Sequence, residues 1–151
     1  MSERVIVRQN HHFEIDFFAK NPRDPEDEGF HEITHVHFLT PYGLLLSGLG
    51  ACTSIILHSY AQNHGIALDE VTIDLTYDRV FAEDCEECED IEEYKETIHD
   101  KIELSGDLTE SERNRLRSVA HHCPIQKMLD QGIDVSSEFV DSVEVPGAIE
   151  Q

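Results

Sequence analysis

Hydrophobic and polar positions change period along the chain. Three short runs near the amino terminus, Arg4 to Arg8 (RVIVR), Phe13 to Phe18 (FEIDFF) and His31 to Phe38 (HEITHVHF), are β-branched or aromatic and partly alternating, which predicts strands. Between the last two lies KNPRDPEDEG, Lys20 to Gly29, a polar loop with two prolines. From Leu44 to Leu57 no residue is charged, and the apolar positions cover nearly every side of a helix, so this helix is expected to be buried. Thr40 is placed to cap its first turn and Pro41 suits its first position. Gly65, just after His64, is placed to end it in a left-handed conformation. Gly43, Ser47, Gly50 and Ser54 form a strip of small residues along which another helix is expected to pack. Leu45, Leu49, Cys52 and Ile56 repeat the same spacing on another face.

Further on, Val71 to Val80 (VTIDLTYDRV) alternates strictly and predicts a strand, and Thr97 to Leu104 (TIHDKIEL) predicts its neighbour. The acidic excursion Glu83 to Glu96 separates them. Thr109 and Glu112 have the T-x-x-E spacing of a capping box. The helix they open carries Leu116, Val119, Ala120 and Cys123 on one face. Pro124 either stops that helix or starts a new turn over Ile125 to Leu129. Ile133 to Val140 (IDVSSEFV) predicts a last strand, and the tail from Asp141 is expected to fray. Strands and two core helices without regular βαβ alternation give an α+β fold, read as one domain over 1–140 with a tail over 141–151.

Charge narrows the functional classes. Among 151 residues, 11 Lys and Arg face 32 Asp and Glu, a formal charge of −21. A surface this negative repels nucleic acid and anionic membranes, which excludes both as expected partners. The start, MSERVIVRQNHHFEIDFF, has no continuous apolar region of the kind a signal peptide needs, and the run Leu44 to Leu57 is too short to span a bilayer. The expectation is a cytoplasmic protein, in which four cysteines read as metal-binding or redox residues before structural disulfides.

Cys52 and Cys123 each lie on the apolar face of a predicted helix, where a thiol is either an inert core filler or a reactive sulfur in a dry pocket. Packing of the two helices would bring the sulfurs together. Cys123 precedes Pro124 and so can sit at a helix amino terminus, with His121, His122 and Lys127 adding positive charge nearby, features that favour thiolate. Cys85 and Cys88 form C-x-x-C in the acidic loop, the spacing of a zinc or iron half-site or of a dithiol pair. A full site needs two more ligands, for which His99 or a partner chain stands as a source. Without metal, the surrounding acids raise these thiol pKa values. His31, His35 and His37 fall near the third predicted strand, with His35 and His37 on one face, either as a metal pair or as polar residues of a half-exposed strand.

These motifs carry a resemblance. TPYGLLLSGLGACT, Thr40 to Thr53, resembles the first-cysteine helix of the OsmC/Ohr family of peroxide-reducing proteins, and HCPIQ, His122 to Gln126, resembles its second-cysteine motif, usually Cys-Pro-Val-His. FAEDCEECE, Phe81 to Glu89, resembles a loop of one OsmC-like branch. The similarity extends over about residues 40 to 137. It implies an intertwined homodimer with two curved antiparallel sheets around central helices. It also implies that Cys52 attacks the peroxide, that Cys123 resolves the sulfenic acid as a disulfide, and that an external dithiol reduces it. The substrate implied is a small hydrophobic hydroperoxide, and no cofactor is required; the Cys85 and Cys88 spacing itself leaves zinc or a disulfide open there. Two departures stand out. The family pairs an arginine with a glutamate near the helix start, where this chain has Pro41-Tyr42-Gly43, and Arg23 is the arginine that suggests itself instead. Gln126 replaces the usual histidine. A second reading, from a different class, is a non-catalytic redox- or metal-responsive binding module working through Cys85 and Cys88.

Overall fold

The computed structural model describes residues 2–81 and 94–147. Alternation in the strands builds one antiparallel sheet. Val5, Val7 and Gln9 on β1 (Ser2–Asn10) point inward, as do Val71, Ile73, Leu75 and Tyr77 on β4 (Leu68–Phe81), while the residues between them face outward and are polar in the main. β1 pairs with β4 in the register Val5↔Leu75 and Val7↔Ile73, and on its other side with β2 (Ile15–Ala19). β5 (Tyr94–Gly106) pairs with β4 and forms one edge, and a two-residue β3 (His31–Glu32) forms the other, giving the order β3-β2-β1-β4-β5.

Across the inner face lies α1 (Pro41–Asn63). The Thr40 hydroxyl accepts from the Gly43 N–H, as the sequence predicts. At the other end Gly65 takes φ +62° and the Ile66 N–H reaches back to the Ala61 carbonyl at 2.8 Å, the six-to-one bond of a Schellman cap. Two further helices follow, α2 (Glu110–Ala120) and α3 (Pro124–Gln131). α2 opens on a complete capping box, with Thr109 and Glu112 each serving the other's backbone N–H. Leu116, Ala120 and Cys123 are buried against α1. By length and composition α1 also meets the requirement for crossing a membrane, a test that the shorter run Leu44 to Leu57 fails, and half of its most apolar stretch is buried inside the protein, as in a core helix.

The small-residue strip does not receive a helix. Gly43, Ser47, Gly50 and Ser54 are all buried, and α1 lays this side on β1 and β4. Gly50 is where the approach is closest, since a Cβ there would stand 2.6 Å from Val7 Cγ2 and 2.9 Å from Leu75 Cδ1. The face left open carries Leu44, Gly48 and Ile55.

Two predicted strands also come out differently. Only His31 and Glu32 of the run His31–Phe38 pair, with Phe18 and Ala19, and Ile33 adds one bond to Phe17 before the chain turns to enter α1. His35 and His37 therefore share no strand face. They flank the start of a 3-10 turn (Val36–Phe38), their rings stacked 5.4 Å apart and exposed. Ile133–Val140 forms no strand: it is exposed throughout and has no pairing partner among the described residues.

A histidine is sealed in the core. His58 on α1 is 1% exposed and bonds through Nε2 to the Gln9 carbonyl at 3.0 Å. Phe13, held at φ +63° in the β1–β2 turn, meets its ring edge-on at 5.9 Å. Burial, reinforced by His11, holds the His58 pKa below its ordinary value, against the pull of the Gln9 bond.

Two measurements check this packing. Gly50→Ala gains about 1 kcal/mol of helix propensity but crowds Val7 and Leu75. The expected net result is a loss of about 1–3 kcal/mol in denaturant unfolding at fixed protein concentration. For His58 the folded state binds the proton less readily than the unfolded chain. Its contribution is therefore complete above the unfolded pKa of about 6.5 and lost as pH falls through that value. His58→Gln is expected to lose less stability than the parent between about pH 7.5 and about pH 5.5.

Candidate active site

Cys52 and Cys123, from elements 71 positions apart in the chain, meet where α3 crosses α1. Cys52 lies in the middle of α1, partly exposed on the side turned from the sheet. Cys123 is fully buried and is the N-cap of α3, its carbonyl accepting from the Lys127 N–H at 3.1 Å. Pro124 follows at the first helical position, so Ile125 presents one of the first free N–H groups of α3. That N–H and the Cys123 thiol are the two groups that act on the Cys52 sulfur.

These neighbours pull the Cys52 thiol in opposite directions. Burial is the largest influence and raises its pKa, the bond to Cys123 raises it further, and the Ile125 N–H lowers it. The net result is a thiol above its ordinary value. The sequence analysis looked to an arginine or to the histidines beside Cys123 for positive charge, and no cation figures among these influences. His121 and His122 are exposed, and Arg23 lies over the Phe38 ring at 5.6 Å in the loop before α1.

A cavity of about 480 Å³ opens between α1, α3 and the β4–β5 pair. It comes within one helical turn of Cys52 at Leu49 and lies against α3 at Gln126, the residue after Ile125. Leu45, Ile98 and Leu129 line it together with Glu96, His99, Asp100 and Asp130, so it is mixed in polarity rather than the dry pocket that the sequence suggests.

At its far end stands a cluster that sequence reasoning missed. Arg79 donates to the Tyr42 hydroxyl at 2.5 Å, to Glu96 at 3.2 Å and to the Tyr77 hydroxyl at 3.3 Å. Tyr77 donates to Glu96 at 2.6 Å and stacks on Tyr42 with ring centroids 4.5 Å apart. Burial and the Glu96 carboxylate push the Tyr77 phenol up to about 12, while Tyr77 and Arg79 hold Glu96 below the usual carboxylate range. Tyr42 occupies the helix-start position at which the resemblance expects a glutamate. The carboxylate beside the guanidinium comes from β5 instead. Tyr42 precedes Cys52 by ten residues, about 15 Å along a helix, so within one chain this cluster does not touch the sulfur. The alternation of β4 gave one signal, since it sets Arg79 on the same face as Tyr77.

The remaining predicted ligands are dispersed. Cys85 and Cys88 lie outside the described residues. His99 stands on β5 at the cavity, and His31 pairs with Asp27 at 2.6 Å. Among the described residues no group of three or more His, Cys, Asp or Glu side chains is arranged to hold a metal ion.

The family model described as OsmC-like protein matches residues 14–138. An OsmC-like hydroperoxide resistance protein from Jannaschia sp. CCS1, 13% identical, aligns over 97% of this chain and 96% of its own with a TM-score of 0.56, a likeness of fold. An organic hydroperoxide resistance protein OsmC from Legionella pneumophila, 18% identical, aligns over 89% of this chain and 90% of its own at a TM-score of 0.45, too loose to carry weight. No curated protein matches the sequence.

The opposing influences on Cys52 are separable. Burial and Cys123 both raise its pKa, and Cys123→Ala removes the second of these. The thiol is expected to titrate at lower pH than in the parent, read as thiolate absorbance or as alkylation rate against pH on a background with Cys85 and Cys88 replaced. An unchanged or higher titration midpoint would show that the contact does not govern the thiol.

Proposed function

The chain belongs to the family of OsmC-like proteins, and from that premise we propose that it is a thiol peroxidase reducing organic hydroperoxides, with Cys52 as the attacking residue and Cys123 as the resolving one. The observation that carries the reading is that the two thiols are brought near enough for Cys123 and the Ile125 N–H both to act on Cys52. The Cys52 thiolate attacks the terminal oxygen of the hydroperoxide. The O–O bond breaks, an alkoxide leaves and takes a proton to become the alcohol, and Cys52 becomes a sulfenic acid. The Cys123 thiol then displaces that hydroxyl as water, forming the disulfide. A dithiol reductant returns both thiols by exchange and leaves oxidised. The hydroperoxide resistance named for the Jannaschia protein agrees with this chemistry.

The raised Cys52 thiol calls for a stabilising cation or donor that the described residues of a single chain do not bring to it. We place that group at the interface of a homodimer. Leu44 and Ile55 on α1 are each 46% exposed, and Ile55 is one turn from Cys52, so a second copy covering this face also closes over the sulfur. The support is the open face around Leu44, Gly48 and Ile55, since the buried small-residue strip offers none. The working compartment is the cytoplasm, where a dithiol pool maintains both thiols. Cys85 and Cys88 stand apart from turnover in this reading, and zinc at that pair would serve stability.

Peptide mass mapping after one equivalent of an organic hydroperoxide is expected to show a Cys52–Cys123 disulfide. Cys52→Ser should consume no peroxide, and Cys123→Ser should stop at a trappable sulfenic acid on Cys52. Replacing Cys85 and Cys88 with serine should leave turnover within a fewfold of the parent. No disulfide in the parent, with undiminished consumption by Cys52→Ser, would transfer the function to the Cys85 and Cys88 module.

A further inference from the structure

The cavity beside Cys52 carries charge that its packing does not call for. Asp100 stands on β5 between Ile98 and Ile102 in the inward series, and the register sets it opposite Leu75, which is fully buried. Alternation therefore puts Asp100 on the side of the sheet that packs against α1, where an apolar residue would continue the series. It is half-buried there and lines the cavity. Asp130 reaches the same cavity from the last turn of α3. A carboxylate is disfavoured at that end of a helix, where the dipole prefers a cation. Neither carboxylate serves the fold.

No cation answers these two acids. The neighbours of Asp100 in sequence, His99 and Lys101, act on Asp74 on the outer face of the sheet. Among the described residues neither Asp100 nor Asp130 forms an ion pair, and no Lys or Arg lines the cavity. Arg79 stands at the far end, where its guanidinium is committed to Glu96 at 3.2 Å. Those two charges offset each other, so the charge left on the cavity wall is negative. The wall is otherwise suited to an apolar guest, with Leu45, Ile98 and Leu129 on it.

We propose that Asp100 and Asp130 determine the substrate class: the cavity admits uncharged organic hydroperoxides and rejects those that bear a carboxylate. The inference rests on the peroxidase reading above and adds which hydroperoxides reach Cys52. The cavity, of about 480 Å³, comes within one helical turn of Cys52 at Leu49, so a hydroperoxide with its O–O bond at the sulfur extends its tail into this space. An uncharged tail gains by leaving water against Leu45, Ile98 and Leu129. A tail that ends in a carboxylate gives up its hydration between two like charges, with the nearest guanidinium already held by Glu96. This is selection by repulsion, which needs no contact particular to the preferred substrate.

The test compares para-carboxycumene hydroperoxide with its methyl ester, which carry the same O–O bond on the same ring and differ in charge. The full chain is expected to favour the ester by at least about tenfold in kcat/KM. That preference should shrink as ionic strength rises from about 0.01 M to about 1 M. Asp100→Asn with Asp130→Asn should narrow it at least about threefold, a change of ratio that a general loss of folding would not produce. Glu26→Gln with Glu28→Gln removes the same charge from the exposed loop before α1 and should leave the ratio as in the parent. Equal turnover of acid and ester, or a preference that survives in the Asp100 and Asp130 variant, overturns the proposal and leaves the peroxidase reading standing. A ratio narrowed as far by the loop variant overturns it too, since the preference would then belong to net charge. The unreactive alcohols of the two compounds are titrated against the protein in parallel. If neither hydroperoxide is consumed, the peroxidase reading fails and the alcohols decide the cavity by binding alone. Tighter binding of the ester alcohol by the same margin upholds rejection of carboxylates, and equal or absent binding overturns it.

Discussion

The approach of α1 to the sheet at Gly50 sets the depth of everything packed above it. With no side chain at that point, the helix backbone lies against Val7 and Leu75, the residues paired across β1 and β4 with Ile73 and Val5. The close approach fixes which side of α1 faces the sheet. By the geometry of a 3.6-residue repeat, it also fixes that Cys52, two positions on, faces away from it. α2 and α3 cover part of that second side, and the turn between them sets Cys123 over the sulfur. The contact seals a polar remainder beneath the helix as well. Ser54 Oγ and Gln9 Oε1 are buried with no hydrogen-bond partner among the described residues, which implies that shape rather than polar pairing determines how the helix is seated here.

Local chemistry made much of the fold legible. Thr40, Pro41 and Gly65 bound α1 in the sequence as they do in the structure, and Thr109 with Glu112 opens α2, because caps act through residues only a few positions apart. The strict alternation of Val71–Val80 sufficed for β4. The facing of the small-residue strip was not legible, since a close-packed helix and a close-packed sheet both demand small side chains. The run His31–Phe38 alternates like a strand, but the need to turn into Thr40 ends its pairing after Ile33. Ile133–Val140 also has the pattern of a strand. Periodicity says which faces of a segment differ, not whose sheet it joins.

Of the site, the sequence offered the two cysteines and their apolar faces. Their contact depends on long-range packing that no window of sequence contains. Arg79 shows the same limit: its face on β4 could be read, but its partner Tyr42 lies 37 positions away. The cluster alters how the departure at Tyr42 is understood. A guanidinium still meets the start of α1, but it finds a phenol there and draws its carboxylate from the neighbouring strand. The Arg–carboxylate pair is thus carried by the sheet and the helix contributes a neutral acceptor, so the charge at this end of the cavity is tied to the β4–β5 pairing.

The imidazole of His58 has a consequence of another kind. Its Nε2 faces the Gln9 carbonyl, an acceptor with no proton to give, so the ring carries its hydrogen on that nitrogen. The hydrogen lies under the β1–β2 turn, shut away from water by Phe13 and the body of the helix. It can trade places with solvent deuterium only when α1 lifts from β1 far enough to admit a water molecule. The ring is therefore a counter of such events, and the lifetime of a single proton resonance would give the frequency with which the core comes open.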